Sequence, residues 1–342
     1  MSGRTPPAGG CGRARPPFVP DPLVRSLLDA SAAPPYLHEI GPVDGRLALL
    51  ESQGNAPDDP RVEAAFHAAP VGPSGLTGLW IFRPAAVPGP LPTVLYLHGG
   101  RWMLGDAHTH WRLISALVKV SGAAFVVPEY TRTPEARYPV AIEECYAVLE
   151  WAARNAGELA LRGDRIAVAG DCAGATMATA LAMLAKRRGG PRLRAQLLYY
   201  AMTDPRCDSD SQEQFAEGHL LTRAALKWYW RQYGGGEREL AEPVAAPSRA
   251  TADDLAGLPP TLIVSAEGDI VRDEAEQYAR HLRRAGVAVT SVRYLGMVHD
   301  FVSLATLEPS PSAHAAIKQG GSFVAEALSD RPHDRLKQTR LK

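Results

Sequence analysis

The sequence has few cysteines: four in 342 residues (Cys11, Cys145, Cys172 and Cys207), with no C-x-x-C pair. That spacing excludes a disulfide framework or a zinc site built on paired thiols, and it fits a reducing, cytoplasmic compartment. Net charge is also missing, since Lys plus Arg and Asp plus Glu number 37 each. No long-range field draws the chain to nucleic acid or an anionic membrane, so neither is expected as a partner. No apolar run approaches the roughly 20 residues of a membrane span, and the N-terminus lacks the apolar core of a secretory signal. Apolar residues make up an ordinary 46%, so function has to be argued from a site.

Residues 1–20 (MSGRTPPAGGCGRARPPFVP) are rich in Pro, Gly and Arg and read as a disordered tail. Residues 21–70 alternate amphipathic stretches (DPLVRSLLDA, VDGRLALLES, RVEAAFHAA) with Pro and Gly breaks, which predicts small helices contributing to a cap. Seven short runs rich in β-branched or aromatic residues follow: LTGLWIF, TVLYLHG, AFVVPEY, RIAVAGD, AQLLYYA, TLIVSAE and VTSVRYL. Helical patterns separate several of them, as in AIEECYAVLEWAARN, ATMATALAMLAKRR and DEAEQYARHLRRAG. Near-continuous apolar strands alternating with helices predict an α/β fold with a largely parallel sheet covered on both faces. The core is assigned to residues 71–204 and 251–330, with a helical lid over 205–250 and a flexible end at 331–342.

The strongest local signal is RIAVAGDCAGATMATALAML. A strand ends in Gly170-Asp171-Cys172-Ala173-Gly174 and a helix of small residues follows at once, which is the G-x-S-x-G turn with sulfur in place of the hydroxyl. The tight turn strains its central residue and projects it, and the helix N-terminus behind it favours a thiolate. A buried, inert cysteine packed as a small hydrophobe is the alternative. Upstream, His98-Gly99-Gly100-Arg101-Trp102 follows a strand, and a glycine pair there lets backbone N–H groups face an oxyanion. Gly99, Gly100 and Ala173 are the expected donors, with His98 bracing the loop. Chain order then calls for an acid and a histidine. Asp269 in EGDIVRDEAE and His299 in GMVHDF supply them; Asp273 is expected to cap the following helix, and Asp300 to serve in a turn.

His108 and His110 lack further ligands, so no metal is expected, and no cofactor either. Trp228, Tyr229, Trp230 and Tyr233, without a basic groove, read as the underside of the lid rather than a base-stacking surface.

Together HGG-x-W, Tyr130-Thr131-Arg132-Thr133-Pro134-Glu135, GDCAGA, EGDIVRDEAE and G-x-x-H-D-F resemble the hormone-sensitive-lipase-like branch of the α/β hydrolases, the bacterial acetyl-esterase and carboxylesterase group, over about residues 75–328. The resemblance implies an eight-stranded, mostly parallel sheet under a helical cap. It also implies a triad of Cys172, Asp269 and His299, with an acyl substrate carried on the sulfur. Two departures stand out: cysteine replaces the usual serine, and Arg101 occupies a place usually held by a small residue. Arg101 and Trp102 are expected to touch substrate. The planar guanidinium suits an anionic substrate group, unless it points outward into solvent. Ester hydrolysis, acyl transfer, cyclisation or elimination, and a non-catalytic ligand-binding role all remain open, as does assembly into a homodimer. So does the reading of Cys172 as an introduced replacement for serine.

Overall fold

The seven expected strands and one further segment form a single eight-stranded sheet in the computed structural model, which describes residues 17–55 and 59–330. The strands are β1 (Val62–Ala69), β2 (Thr77–Pro84), β3 (Leu91–Leu97), β4 (Ala124–Pro128), β5 (Leu161–Asp171), β6 (Leu193–Tyr199), β7 (Thr261–Ala266) and β8 (Val289–Tyr294). Across the sheet they run β1-β2-β4-β3-β5-β6-β7-β8. The pairs β1/β2 and β2/β4 are antiparallel, and every other pair is parallel. Parallel neighbours need crossover connections, which place helices over the faces of the sheet. Accordingly β4 (AFVVP) and β7 (TLIVSA) are buried at every residue. This is the architecture that the resemblance implies.

The further strand corrects one expectation. RVEAAFHAA, read from sequence as a helix, forms β1 and pairs with β2 from Val62↔Pro84 to Ala69↔Thr77. Its apolar residues are small and widely spaced, so helical and strand periods fit almost equally well. The free edge of β2 decides between them, and Phe66 packs edge-on against Trp80 at 5.4 Å.

The helices are α1 (Pro22–Ala30), α2 (Gly41–Gln53), α3 (Trp111–Ser121), α4 (Val140–Arg154), α5 (Ala173–Arg188), α6 (Asp210–Gln214), α7 (Arg223–Gly234), α8 (Ala252–Leu255), α9 (Arg272–Arg284) and α10 (Pro311–Leu328). Helix α10 lies against α3 and β6, and α4 lies against α5 and β5. No helix among the described residues is long and apolar enough to cross a membrane.

Two groups of helices outside the core converge on one end of the sheet. Between β6 and β7 the chain forms α6 and α7, and Thr222 caps α7 by accepting from the Ala225 N–H at 3.1 Å. Leu226, Tyr229, Trp230 and Tyr233 recur at i, i+3, i+4 and i+7 and make its buried face. Tyr233 stacks on Trp102 at 4.1 Å, with Trp230 at 4.6 Å. Helix α2 is pinned by Arg46, which donates to the Met103 and Thr133 carbonyls and pairs bidentately with Glu135.

The expected tails lie outside the described residues over 1–16 and 331–342. Residues 17–20, assigned to the first tail, are placed: Phe18 packs edge-on against Phe215 at 5.8 Å.

Candidate active site

β5 runs straight into α5 through Cys172, whose φ of +51° and ψ of −122° lie in a region that L-residues avoid. The turn is close because the flanking glycines let backbone meet backbone. A Cβ on Gly174 would stand 1.9 Å from the Leu97 carbonyl oxygen, and one on Gly170 would stand 2.5 Å from Gly174. The Cys172 N–H donates to the Tyr199 carbonyl at 3.0 Å, so the turn is also tied to β6.

The structure brings Cys172, Asp269 and His299 together. His299 Nε2 lies 3.1 Å from Cys172 Sγ, and its Nδ1 lies 2.9 and 3.0 Å from the two Asp269 oxygens. All three residues are fully buried. Asp269 also accepts the Val271 N–H at 3.0 Å, which fixes the carboxylate just before α9 begins. Burial works against protonating His299, but the charges of Asp269, Asp300 and Cys172 outweigh it and raise its pKa well above the ordinary histidine value. The neighbouring acids are engaged elsewhere. Asp273 accepts from Ser211 N and Arg272 Nε, each at 2.8 Å, and Glu267 accepts from Gly296 N at 2.9 Å.

In the glycine loop one expectation fails. The Gly99 N–H is already taken, donating to Asp171 Oδ1 at 3.0 Å with His110 Nε2 at 3.3 Å. A buried carboxylate on the residue after Gly170, which pairs with Leu97 at the end of β3, is too strong an acceptor for that donor to stay free. The N–H groups of Gly100, Arg101 and Ala173 have no acceptor among the described residues. Asp171 also accepts from the Tyr96 hydroxyl at 2.6 Å and lies 3.3 Å from His110 Nε2. Burial disfavours the His110 imidazolium, yet Asp171 raises its pKa; burial and the His110 charge depress His98 to about 3. His98 is thus a neutral brace, with Nδ1 2.8 Å from the Gly99 carbonyl and its ring stacked on Tyr130. His110 immediately precedes α3 and is buried in this network.

Arg101 is neither solvated nor free. Its Nη2 donates to Asp300 Oδ2 at 2.8 Å, and the other Asp300 oxygen lies 3.4 Å from His299 Nε2. The guanidinium expected to meet an anionic substrate therefore already has a carboxylate. Asp300 keeps the expected turn role through its carbonyl, which accepts from Ser303 and Leu304, but its side chain belongs to the site. Trp102 is fully buried beneath α7. A cavity of about 350 Å³ adjoins the site, walled by Leu27, Leu37, Leu49, Leu221 and Tyr229 and bordered by Arg101 and Asp300; Trp102, Cys172 and His299 are not among its lining residues.

Sequence reasoning missed Asp171, Asp300 and Met202, whose Sδ lies 3.3 Å from Cys172 Sγ. Asp171 had a signal in its place inside G-D-C-A-G. Asp300 had one in the unusual Arg101, a basic residue that needs a partner once buried. Among the described residues, Cys172, His299 and Asp300 also form a set whose potential metal-ligand atoms lie within 4.8 Å of one another.

Comparison with known proteins extends this picture. A family model described as the α/β-hydrolase fold matches residues 94–303. The carboxylesterase NlhH of Mycobacterium tuberculosis is 35% identical over 314 residues, covering 90% of this chain and 96% of NlhH. A thermostable esterase from Pseudomonas putida ECU1011 superposes with a TM-score of 0.89 at 39% identity, covering 93% of this chain and all of the other. Carboxyl esterase 2 of Tuber melanosporum superposes with a TM-score of 0.82 at 30% identity, covering 91% and 100%.

Proposed function

The chain belongs to the α/β-hydrolase family, and we propose that it is a carboxylic ester hydrolase working through a covalent acyl-thioester on Cys172. One observation carries this reading: the hydrogen-bonded line from Asp269 through His299 to a sulfur on the β5–α5 turn. The esterases to which the chain is similar supply the reaction class.

The raised pKa of His299 makes its ring a strong proton acceptor, and removal of the proton from the sulfur 3.1 Å away generates the thiolate. The thiolate attacks the ester carbonyl, and the carbonyl π pair moves to oxygen. Gly100, Arg101 and Ala173 N–H groups are the proposed donors to that oxyanion; each such donor is worth roughly 3 kcal/mol in systems where it has been removed. The tetrahedral adduct collapses, the C–O bond breaks, and His299 Nε2–H protonates the departing alkoxide. Neutral His299 then takes a proton from water as its oxygen attacks the thioester, and the C–S bond breaks to return thiolate and imidazolium. Asp269 keeps the proton on Nδ1 throughout.

Substrate class follows from the cavity. With Arg101 matched by Asp300 and the walls largely apolar, the proposed acyl or alcohol group there is uncharged and apolar rather than anionic. Helices α1, α2, α6 and α7 are proposed as the cap over it.

Sulfur also favours a second reading. Thioesters exchange readily with amines and thiols, so transfer to such an acceptor competes with hydrolysis. Both readings are tested by incubation with 4-nitrophenyl acetate and butyrate, using intact-mass detection and product analysis with added amines. The expected result is one acyl adduct on Cys172, absent from Cys172→Ala, whose turnover falls at least ~10³-fold. Absence of any adduct together with unchanged turnover in Cys172→Ala would overturn the covalent mechanism.

A further inference from the structure

We infer that Cys172, His299 and Asp300 form a Zn²⁺ site that competes with acyl chemistry for the same sulfur. The binding half of this inference stands on the ligand geometry alone; the inhibition half rests on the acyl-thioester reading. A thiolate, an imidazole nitrogen and a carboxylate oxygen are the three ligand types that zinc takes, and three protein ligands leave a fourth position for water. His299 Nε2 stands 3.1 Å from Cys172 Sγ and 3.4 Å from Asp300 Oδ1, and all three atoms lie within 4.8 Å of one another. Tetrahedral zinc with ordinary bond lengths separates its ligand atoms by roughly 3.3–3.6 Å. The Nε2–Oδ1 pair already stands at that spacing, and the sulfur would have to shift to match it against both partners.

The surroundings of these atoms match a zinc site as well. A zinc-bound histidine usually donates its other ring N–H to a carboxylate, and Asp269 stands 2.9 Å from His299 Nδ1. The remaining oxygen of Asp300 is held by Arg101 at 2.8 Å, which orients Oδ1 toward the sulfur and the ring. Charge points the same way. Two carboxylates, Asp269 and Asp300, stand against the one fixed cation of Arg101. Zinc on the deprotonated sulfur and the neutral ring displaces the proton they share to solvent and brings the set to neutrality. Entry is from the cavity, since Asp300 borders it while Cys172 and His299 have no exposed surface. A serine hydroxyl at the same place would be a poor zinc ligand, so this site exists because sulfur stands on the turn.

The test uses the full chain after chelator dialysis, with Co²⁺ as spectroscopic probe and Zn²⁺ as competitor. Stoichiometric Co²⁺ should give a thiolate charge-transfer band and the visible bands of a tetrahedral ion, both absent from Cys172→Ser. Zn²⁺ should slow alkylation of Cys172 and inhibit ester turnover, with EDTA reversing both. Asp300→Asn should weaken Zn²⁺ binding by roughly 10- to 100-fold; if it fails to fold, Cys172→Ser carries the comparison alone. No charge-transfer band in the unsubstituted protein, or a band that persists in Cys172→Ser, would overturn the site. Acylation without metal binding would sink the zinc inference and leave the hydrolase reading standing. Metal binding without acylation would do the reverse.

Discussion

Arg101 and Asp300 form an ion pair at 2.8 Å, and both hold positive φ, +57° and +62°. The pair joins the glycine loop to the loop that carries His299, and both side chains are nearly buried. Two strained backbones pointing charges at each other suggest that the pair is held for function rather than for stability. Breaking it from one side strands a charge. Arg101→Met should lower unfolding stability by about 3 kcal/mol, and the double variant with Asp300→Asn by clearly less. Urea melts of the four proteins in the cycle check this; a double-variant loss equal to the sum of the two single losses would show that the pair is not coupled.

Asp171 satisfies Tyr96, Gly99 and His110 at once. Asp171→Ala takes this acceptor from three buried groups and should cost about 3 kcal/mol. It should also lower kcat with little change in KM, because the loop beside the sulfur loses its anchor. Asp171→Asn keeps an acceptor oxygen and should retain much of both. Melts and steady-state kinetics on one ester separate the two variants.

Tyr233 holds α7 against Trp102. Tyr233→Ala should cost about 3–4 kcal/mol, typical of deleting a buried aromatic ring. If α7 covers the site, alkylation of Cys172 should also speed up several-fold, read by peptide mass. A stability loss with unchanged alkylation would separate α7 from access to the sulfur.

Acid sensitivity should trace in part to His98. Its folded pKa is depressed to about 3 by burial, against about 6.5 when unfolded. As pH falls below 6.5 the unfolded chain takes up the proton first, so the stability His98 contributes above 6.5 is progressively lost toward pH 3. Between pH 7.5 and 5 this single group should account for about 2 kcal/mol. His98→Phe, which preserves the stack on Tyr130, should be less stable at neutral pH but show a pH dependence flatter by that amount. Urea unfolding at the two pH values measures it.

Much of this could be read from local sequence. The seven apolar runs became strands because each is short, β-branched and bounded by breaks, and Gly170-x-Cys172-x-Gly174 marked its turn through a steric need that only glycine meets. Asp269 could be chosen over Asp273 because one precedes α9 and the other falls inside its first turn. What escaped was decided at a distance. RVEAAFHAA became a strand because β2 offered it an edge. The Gly99 donor was lost to Asp171, a residue on another strand, and Arg101 found Asp300 across 199 positions of sequence. Single-residue types predict what a group can do, while its partner settles what remains for it to do.

The complete burial of Cys172 bears on how a sulfur nucleophile lasts. A thiolate open to peroxide climbs from sulfenic to sulfinic and sulfonic acid, and the later steps are irreversible. A hydroxyl in the same place carries no such liability. Here the sulfur is walled in by Met202 and the ring of His299. Among surfaces that meet an oxidant first, it is last in line, so the chain should outlive in air a homologue whose thiol stood open to solvent.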